Sequence, residues 1–189
     1  MLNVSSNWAQ SPRDGRFKLG TPNAACDAEE HALAISPERK DLIARLNEDL
    51  AREYQAIIAY VVYSQTLKGA EYMAIAKELE AHALEELQHA LTIAKHIDYL
   101  GGAPTTVPNA VKVTDEPRAM LRADLDNENQ TIRGYRERVK QCEAQGEYAI
   151  AEDIREILRQ EQEHQTDLAT ALGEDVPDVS AKADKKSRR

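Results

Sequence analysis

The sequence predicts an all-α fold: a four-helix bundle of two antiparallel hairpins joined by a long crossover. Three observations carry this. Ala, Leu, Ile, Glu, Gln and Arg dominate residues 38–172, which is helix-forming composition. Eight Gly and seven Pro in 189 residues are too few for the frequent turns of a β-sandwich. The breaks fall at Gly69, at Gly101 and Gly102, and at Gly146, so four long helical stretches are linked by short, long and short connections.

Taken in order, residues 1–35 show no sustained periodicity and hold the only Trp, Trp8, and the only Phe, Phe17. They read as an N-terminal arm, free or packed on a neighbour. Ser36, Pro37 and Glu38 form a helix start: a capping hydroxyl, a proline in the first turn and a carboxylate at the positive end of the dipole. The first helix runs from there to about Lys68, and the second from about Glu71 to Leu100. Residues 101–116 are extended, interrupted by Pro104 and Pro108 and followed by Pro117. At about 3.3 Å per residue this linker spans roughly 50 Å. A thirty-residue helix is roughly 45 Å long, so the linker can return along the whole bundle. The third helix runs from about Glu116 to Gln145 and the fourth from Glu147 to Leu172, placing the bundle at residues 36–173. A polar tail, 174–189, closes with Lys182, Lys185, Lys186, Arg188 and Arg189.

Composition restricts function. A net charge of −9 argues against a nucleic-acid binder, and solvation is the simpler reading of the basic tail than DNA contact. No apolar run reaches the length of a membrane span, and no signal-peptide core opens the chain. Two cysteines, Cys26 and Cys142, cannot make a disulfide framework, so a reducing, cytoplasmic setting is expected.

Each helical stripe is apolar except around its middle, where Glu53, Glu86 with His89, Glu128, and Glu161 with His164 interrupt it. Counted from the hairpin turns, Glu53 and Glu86 lie 16 and 17 residues from Gly69, and Glu128 and Glu161 lie 18 and 15 from Gly146. Four glutamates therefore meet at one height. Each histidine follows a glutamate by three residues and faces the same way. An offset of 75 carries Glu53, Glu86 and His89 onto Glu128, Glu161 and His164, and also Asp49 onto Asp124 and Tyr60 onto Tyr135. Such an internal two-fold predicts two metal ions in similar surroundings. Unpaired buried carboxylates cost several kcal/mol each by rough estimate. No stripe supplies a Lys or Arg to neutralise them, whereas two divalent cations would. Four carboxylates and two imidazoles suit Fe, or Mn, better than Zn or Ca.

At these residues the sequence resembles the ferritin-like di-iron carboxylate proteins, closest to bacterioferritin and the bacterioferritin-like, Dps-like mini-ferritins. The resemblance rests on Glu53 in REYQAIIAY, on the ExxH motifs EELQH and EQEH, and on Glu128 in DLDNENQ, and covers residues 38–172. It implies a ferroxidase that binds two Fe ions per subunit, oxidises Fe(II) with O2 or H2O2, and stores Fe(III) in a hollow homo-oligomer. Glu86 and Glu161 would bridge the ions, with Glu53 and His89, and Glu128 and His164, as terminal ligands. Tyr60 matches a tyrosine that supplies an electron beside the metal pair. Bacterioferritin binds haem through a Met directly after the first ExxH Glu, where this chain has Leu87. The residues before the ExxH glutamates, usually Asp, are Glu85 and Gln160. The tail has too little apolar content for the fifth helix around four-fold channels, which favours a shell of about twelve subunits over about twenty-four.

The rival reading is a di-iron or di-manganese oxygenase or peroxidase without a cage. An oxygenase on a lipid-like substrate would need an apolar outer patch, and Arg45, Glu48 and Arg52 make the outward faces charged. A rubrerythrin-type peroxidase would bring a CxxC-bearing module, which this sequence lacks. His82 and His96 read as core or interface histidines, with His82 and Glu85 a candidate iron transit point. Cys142 reads as an inert core thiol.

Leu87 yields a first prediction. Protein purified from haem-replete cells will carry no stoichiometric b-type haem; a Soret band at about one haem per two chains would require another axial ligand.

Overall fold

The computed structural model describes residues 35–180. The predicted arm up to residue 34, with Trp8, Phe17 and Cys26, and the basic cluster after residue 180, lie outside the described residues. Four long helices form: α1, Pro37–Thr66; α2, Met73–Tyr99; α3, Pro117–Ala144; and α4, Tyr148–Leu172. Among the described residues there is no strand. The Ser36 hydroxyl accepts from the Arg39 N–H at 3.2 Å, with Pro37 opening the helix, as its sequence signature requires.

The second helix begins two residues later than predicted. Gly69 adopts φ +126°, and the Tyr72 N–H donates to its carbonyl at 3.1 Å, closing a single 3-10 turn over Ala70–Tyr72. Backbone at that φ suits glycine, and the tight turn consumes the residues that periodicity alone assigns to α2. The third helix starts at Pro117 because the residue before a proline, here Glu116, is pushed into extended geometry (ψ 111°).

Helices α1 and α2 pack as one hairpin, α3 and α4 as the other, and α1–α3 and α2–α4 contacts close the bundle. Side-chain pairs fix the register of these cross-hairpin contacts. Tyr60 meets Glu128, Tyr135 meets Glu53, and Arg138 meets Asp49, so α1 and α3 run antiparallel. His82 meets Asp167, His164 meets Glu85, His89 meets Gln160, and His96 meets Asp153, so α2 and α4 do the same without slippage. The crossover follows α1 along its length. Asn47 accepts from the Thr105 N–H at 2.6 Å and donates to the Ala103 carbonyl at 3.2 Å. The Asn109 N–H donates to the Ala51 carbonyl at 3.0 Å, and the Tyr63 hydroxyl donates to the Lys112 carbonyl.

The apolar core is divided. One cluster, around Leu42, Leu46, Ile93, Ile97, Cys142 and Ile154, fills one end of the bundle. The other, around Leu67, Leu79, Leu121, Leu125, Leu168 and Leu172, fills the opposite end. Each fully buried Leu or Ile contributes about 1.5–3 kcal/mol, so the two ends hold the helices while the layer between them is free to be polar. The polar tail is also less detached than its composition implies. Val179 is buried, and the Gln165 amide donates to the Pro177 carbonyl at 3.2 Å, so residues 174–180 lie as non-helical chain on the bundle.

At the start of the crossover, Gly102 lies so close to α1 that a Cβ would sit 2.5 Å from Ile43 Cγ2 and 3.1 Å from Ile97 Cγ2. Gly102→Ala should cost about 1–3 kcal/mol by overpacking. Thermal denaturation should show a midpoint lower by several degrees, at roughly 2–4 °C per kcal/mol; an unchanged midpoint would mean that the crossover yields freely.

Candidate metal centre

The six residues singled out by spacing converge between the two apolar clusters, and all are 0–2% exposed. Each arrives from the middle of its own long helix: Glu53 from α1, Glu86 and His89 from α2, Glu128 from α3, and Glu161 and His164 from α4. They form two overlapping sets. Glu53, Glu86, His89 and Glu161 bring one potential ligand atom each within 4.8 Å of the others, and so do Glu86, Glu128, Glu161 and His164. Glu86 and Glu161 belong to both.

The distances show how they are shared. Glu86 places Oε2 3.3 Å from His89 Nδ1 and Oε1 3.0 Å from His164 Nδ1. Glu161 does the converse, with Oε1 3.2 Å from His89 Nδ1 and Oε2 3.5 Å from His164 Nδ1. Glu53 Oε2 stands 3.4 Å from His89 Nδ1. Both Glu161 oxygens, Glu86 Oε1, Glu53 Oε2 and His164 Nδ1 are buried without a hydrogen-bond partner. Orphaned acceptors are rare in folded interiors. A cluster of them facing one small volume has the donor chemistry to hold a pair of first-row divalent ions.

The outer ring nitrogens are fixed. His89 Nε2 lies 2.8 Å from Gln160 Oε1, and His164 Nε2 lies 2.8 Å from Glu85 Oε2. Such partners set the tautomer and aim Nδ1 inward. Gln160 and Glu85, which depart from the usual Asp, therefore still reach across to orient the opposite histidine. Two tyrosines anchor the other side: Tyr60 donates to Glu128 Oε1 and Tyr135 donates to Glu53 Oε1. Both are fully buried. The offset of 75 matches these tyrosines, but their crossed pairing with the glutamates of the opposite hairpin depends on α1–α3 packing.

One expectation needs correction. The core does contain an arginine: Arg138 is 4% exposed and donates to Asp49 Oδ2 at 2.5 Å. It is paired with Asp49, which also accepts from Arg52, and not with the four glutamates. Arg138 falls between the apolar positions Tyr135 and Cys142 of α3, beside Val139. An aspartate buried one helical turn before Glu53 was the available signal. His82 and His96 sit at the edge of the core against Asp167 and Asp153. Burial pushes the Cys142 thiol up to about 11, in keeping with an inert thiol. The outer surface also differs from expectation. Ile58, Val61, Leu84, Leu87 and Leu91 are exposed on α1 and α2, so those faces are not uniformly charged.

A family profile for the ferritin-like domain matches residues 43–175. The chain belongs to the ferritin-like family. Within it, the chain is close to bacterioferritin: it is 32% identical to the bacterioferritin of Desulfovibrio desulfuricans over 126 residues, 66% of this chain and 70% of that protein. It is 27% identical to the bacterioferritin of Brucella melitensis, over 71% of this chain and 88% of that one. A crystal structure of a ferritin-like, diiron-carboxylate protein from Bacillus anthracis superposes with a TM-score of 0.70 at 34% identity, covering 72% of this chain and 99% of that one. Among the described residues, no helix of this ferritin-like chain is long and apolar enough to cross a membrane.

Electrostatics sets the protonation of the metal-free centre. Burial, then the charges of Glu86 and Glu161, hold Glu53 well above the usual carboxylate range. Burial, then Glu161 and Glu86, do the same to Glu128. For Glu86, burial opposes ionisation but the adjacent His164 and His89 imidazoles prevail and lower it. For Glu161, burial and the Glu86 charge are likewise outweighed by His164 and His89. At His164, burial disfavours the charge, yet the flanking Glu161 and Glu86 carboxylates push it up to about 12. His89 is raised by Glu161, Glu53 and Glu86 against the same opposition. In the metal-free site these shifts favour the proton on His89, His164, Glu53 and Glu128 and the ionised form of Glu86 and Glu161.

The pH dependence follows. Above about pH 5 the folded, metal-free chain holds protons on Glu53 and Glu128 more tightly than the unfolded chain does. Above about pH 6.5 the same holds for His89 and His164. Stability falls with rising pH wherever the native state binds more protons. Chelator-treated protein should therefore melt progressively lower from pH 5.5 to 8.5. A midpoint rising over that range would contradict the assigned protonation.

Proposed function

We propose that this chain is a ferroxidase and iron-storage protein. Two Fe(II) ions, as substrate, are held by Glu53, Glu86, His89, Glu128, Glu161 and His164, and are oxidised by O2 or H2O2. Fe(III) then passes to a mineral inside a homo-oligomeric cage. The observation that carries this reading is the sharing of Glu86 and Glu161, each offering one oxygen to either half of the centre. Glu86 and Glu161 are the bridging carboxylates; Glu53 with His89, and Glu128 with His164, complete the two ends. Two divalent ions replace the four protons on His89, His164, Glu53 and Glu128 at constant charge, so metal enters without leaving an uncompensated buried charge.

The chemistry balances simply. Two Fe(II) each give up one electron; O2 with two protons becomes H2O2, or H2O2 with two protons becomes two water molecules. Tyr60, hydrogen-bonded to Glu128 and edge-on to His164 at 6.1 Å between ring centroids, is placed to donate a further electron. Near-complete burial of all six residues favours small inorganic species over an organic substrate. This supports ferroxidase over oxygenase more directly than surface charge does. The donor set also accepts Mn(II), the alternative metal.

Cage assembly has its own support. Leu84, Leu87 and Leu91 repeat at helical spacing on α2, and Ile58 and Val61 on α1, all exposed. Exposed apolar residues repeating at helical spacing on paired helices mark an association surface, and a second copy of the chain is the proposed cover. A haem ligated at Leu87 is not part of this reading. The basic residues after 180 lie outside the described structure, and DNA binding is not proposed.

Glu86→Ala or Glu161→Ala should abolish rapid Fe(II) oxidation, since each removes a carboxylate shared by both ions. Stopped-flow oxidation at the parental rate in either variant would defeat the assignment. Light scattering on the full chain should give a closed assembly of about twelve subunits. A mass about twice that would indicate the larger shell, and a monomer would defeat the cage.

A further inference from the structure

We propose that Glu78, His82 and Asp167 form a third, mononuclear divalent-cation site in the groove between α2 and α4, one helical turn outward from the central cluster. Glu78 and His82 are four residues apart on α2 and so share a face. Asp167 projects from α4, three residues beyond His164. The three bring one potential ligand atom each within 4.8 Å of the others, and His82 Nε2 lies 3.3 Å from Asp167 Oδ2.

Two further observations point to a ligand. His82 is 4% exposed and its Nδ1 is buried without a hydrogen-bond partner, whereas a histidine serving only to pack would have its polar atoms satisfied. Beside it opens a groove of about 210 Å³ lined by Glu71, Glu78 and Asp167 with Ala74, Ile75 and Ala171, and no basic side chain lines it. Three carboxylates in a concavity lined by no Lys or Arg concentrate cations from solution. One nitrogen and two partly solvated oxygens, with positions left for water, suit a first-row divalent ion held less tightly than at the central cluster.

The site connects inward. The His82 ring lies 4.0 Å, centroid to centroid, from the His164 ring, and His82, Glu85 and His164 form another set with ligand atoms within 4.8 Å of one another. Potential ligands thus run without interruption from exposed Glu78 to His164 at the centre. On the ferroxidase reading, on which this role rests, Fe(II) enters by this route.

The test is a Co(II) titration of the full chain, read by visible absorption and equilibrium dialysis. The parent should bind about three equivalents per chain, the last one most weakly. The double variant E78Q/D167N changes only surface-accessible carboxylates and leaves the six central residues in place. It should bind about two, with affinity for the third weakened at least tenfold. A parent that saturates at two, or a double variant that still binds three, overturns the proposal. If instead the central assignment is wrong, the parent should bind about one equivalent that E78Q/D167N abolishes, which upholds the outer site alone.

Discussion

The constraint on which the rest of the structure depends is the burial of four carboxylates at one level of a helical bundle. Such a layer persists only if its charge is cancelled locally, because the interior offers little solvent to spread it. Here cancellation is built into the ExxH spacing. Each helix of the α2–α4 pair carries its own glutamate and its own imidazole one turn apart, and antiparallel packing sets the two pairs face to face. Glu53 and Glu128, without a histidine on their own helices, are held instead by tyrosine hydroxyls from the opposite hairpin. Protons can complete the balance, and on the proposed reading divalent ions would take their place.

That polar layer shapes the architecture around it. The apolar core splits into two clusters, and each cluster contributes one of the two tyrosines that reach into the centre. Removing the polar layer from hydrophobic packing places the stabilising burden on the bundle ends. The crossover reinforces this by bonding to Asn47, Ala51 and Tyr63 along α1.

Much of this was legible in the sequence. Helix order, the long crossover and the common height of Glu53, Glu86, Glu128 and Glu161 follow from break positions and counting, because a helix converts residue number directly into distance. What counting cannot give is the rotation of one hairpin against the other. The Tyr60–Glu128 and Tyr135–Glu53 exchange, the Arg138–Asp49 pair and the reach of Gln160 to His89 all depend on that rotation. Arg138 was hidden because an arginine between Tyr135 and Val139 reads as a boundary residue until a buried partner is seen. The exposed Ile58, Leu84 and Leu91 lie off the core stripes, and the charged outward residues Arg45, Glu48 and Arg52 mask them in the sequence. The late start of α2 reflects local backbone geometry at Gly69, to which periodicity is blind.

The internal two-fold is not perfect at the histidines. His89 faces the neutral amide of Gln160, while His164 faces the carboxylate of Glu85. An imidazole whose far nitrogen meets a carboxylate is the stronger base of the two. Two nitrogens that the 75-residue repeat would render alike therefore have different partners, one an amide and one a carboxylate. On the proposed di-iron reading, two incoming ions would meet a ranked choice in place of a statistical one, with the order of filling set by a single amide-for-carboxylate difference.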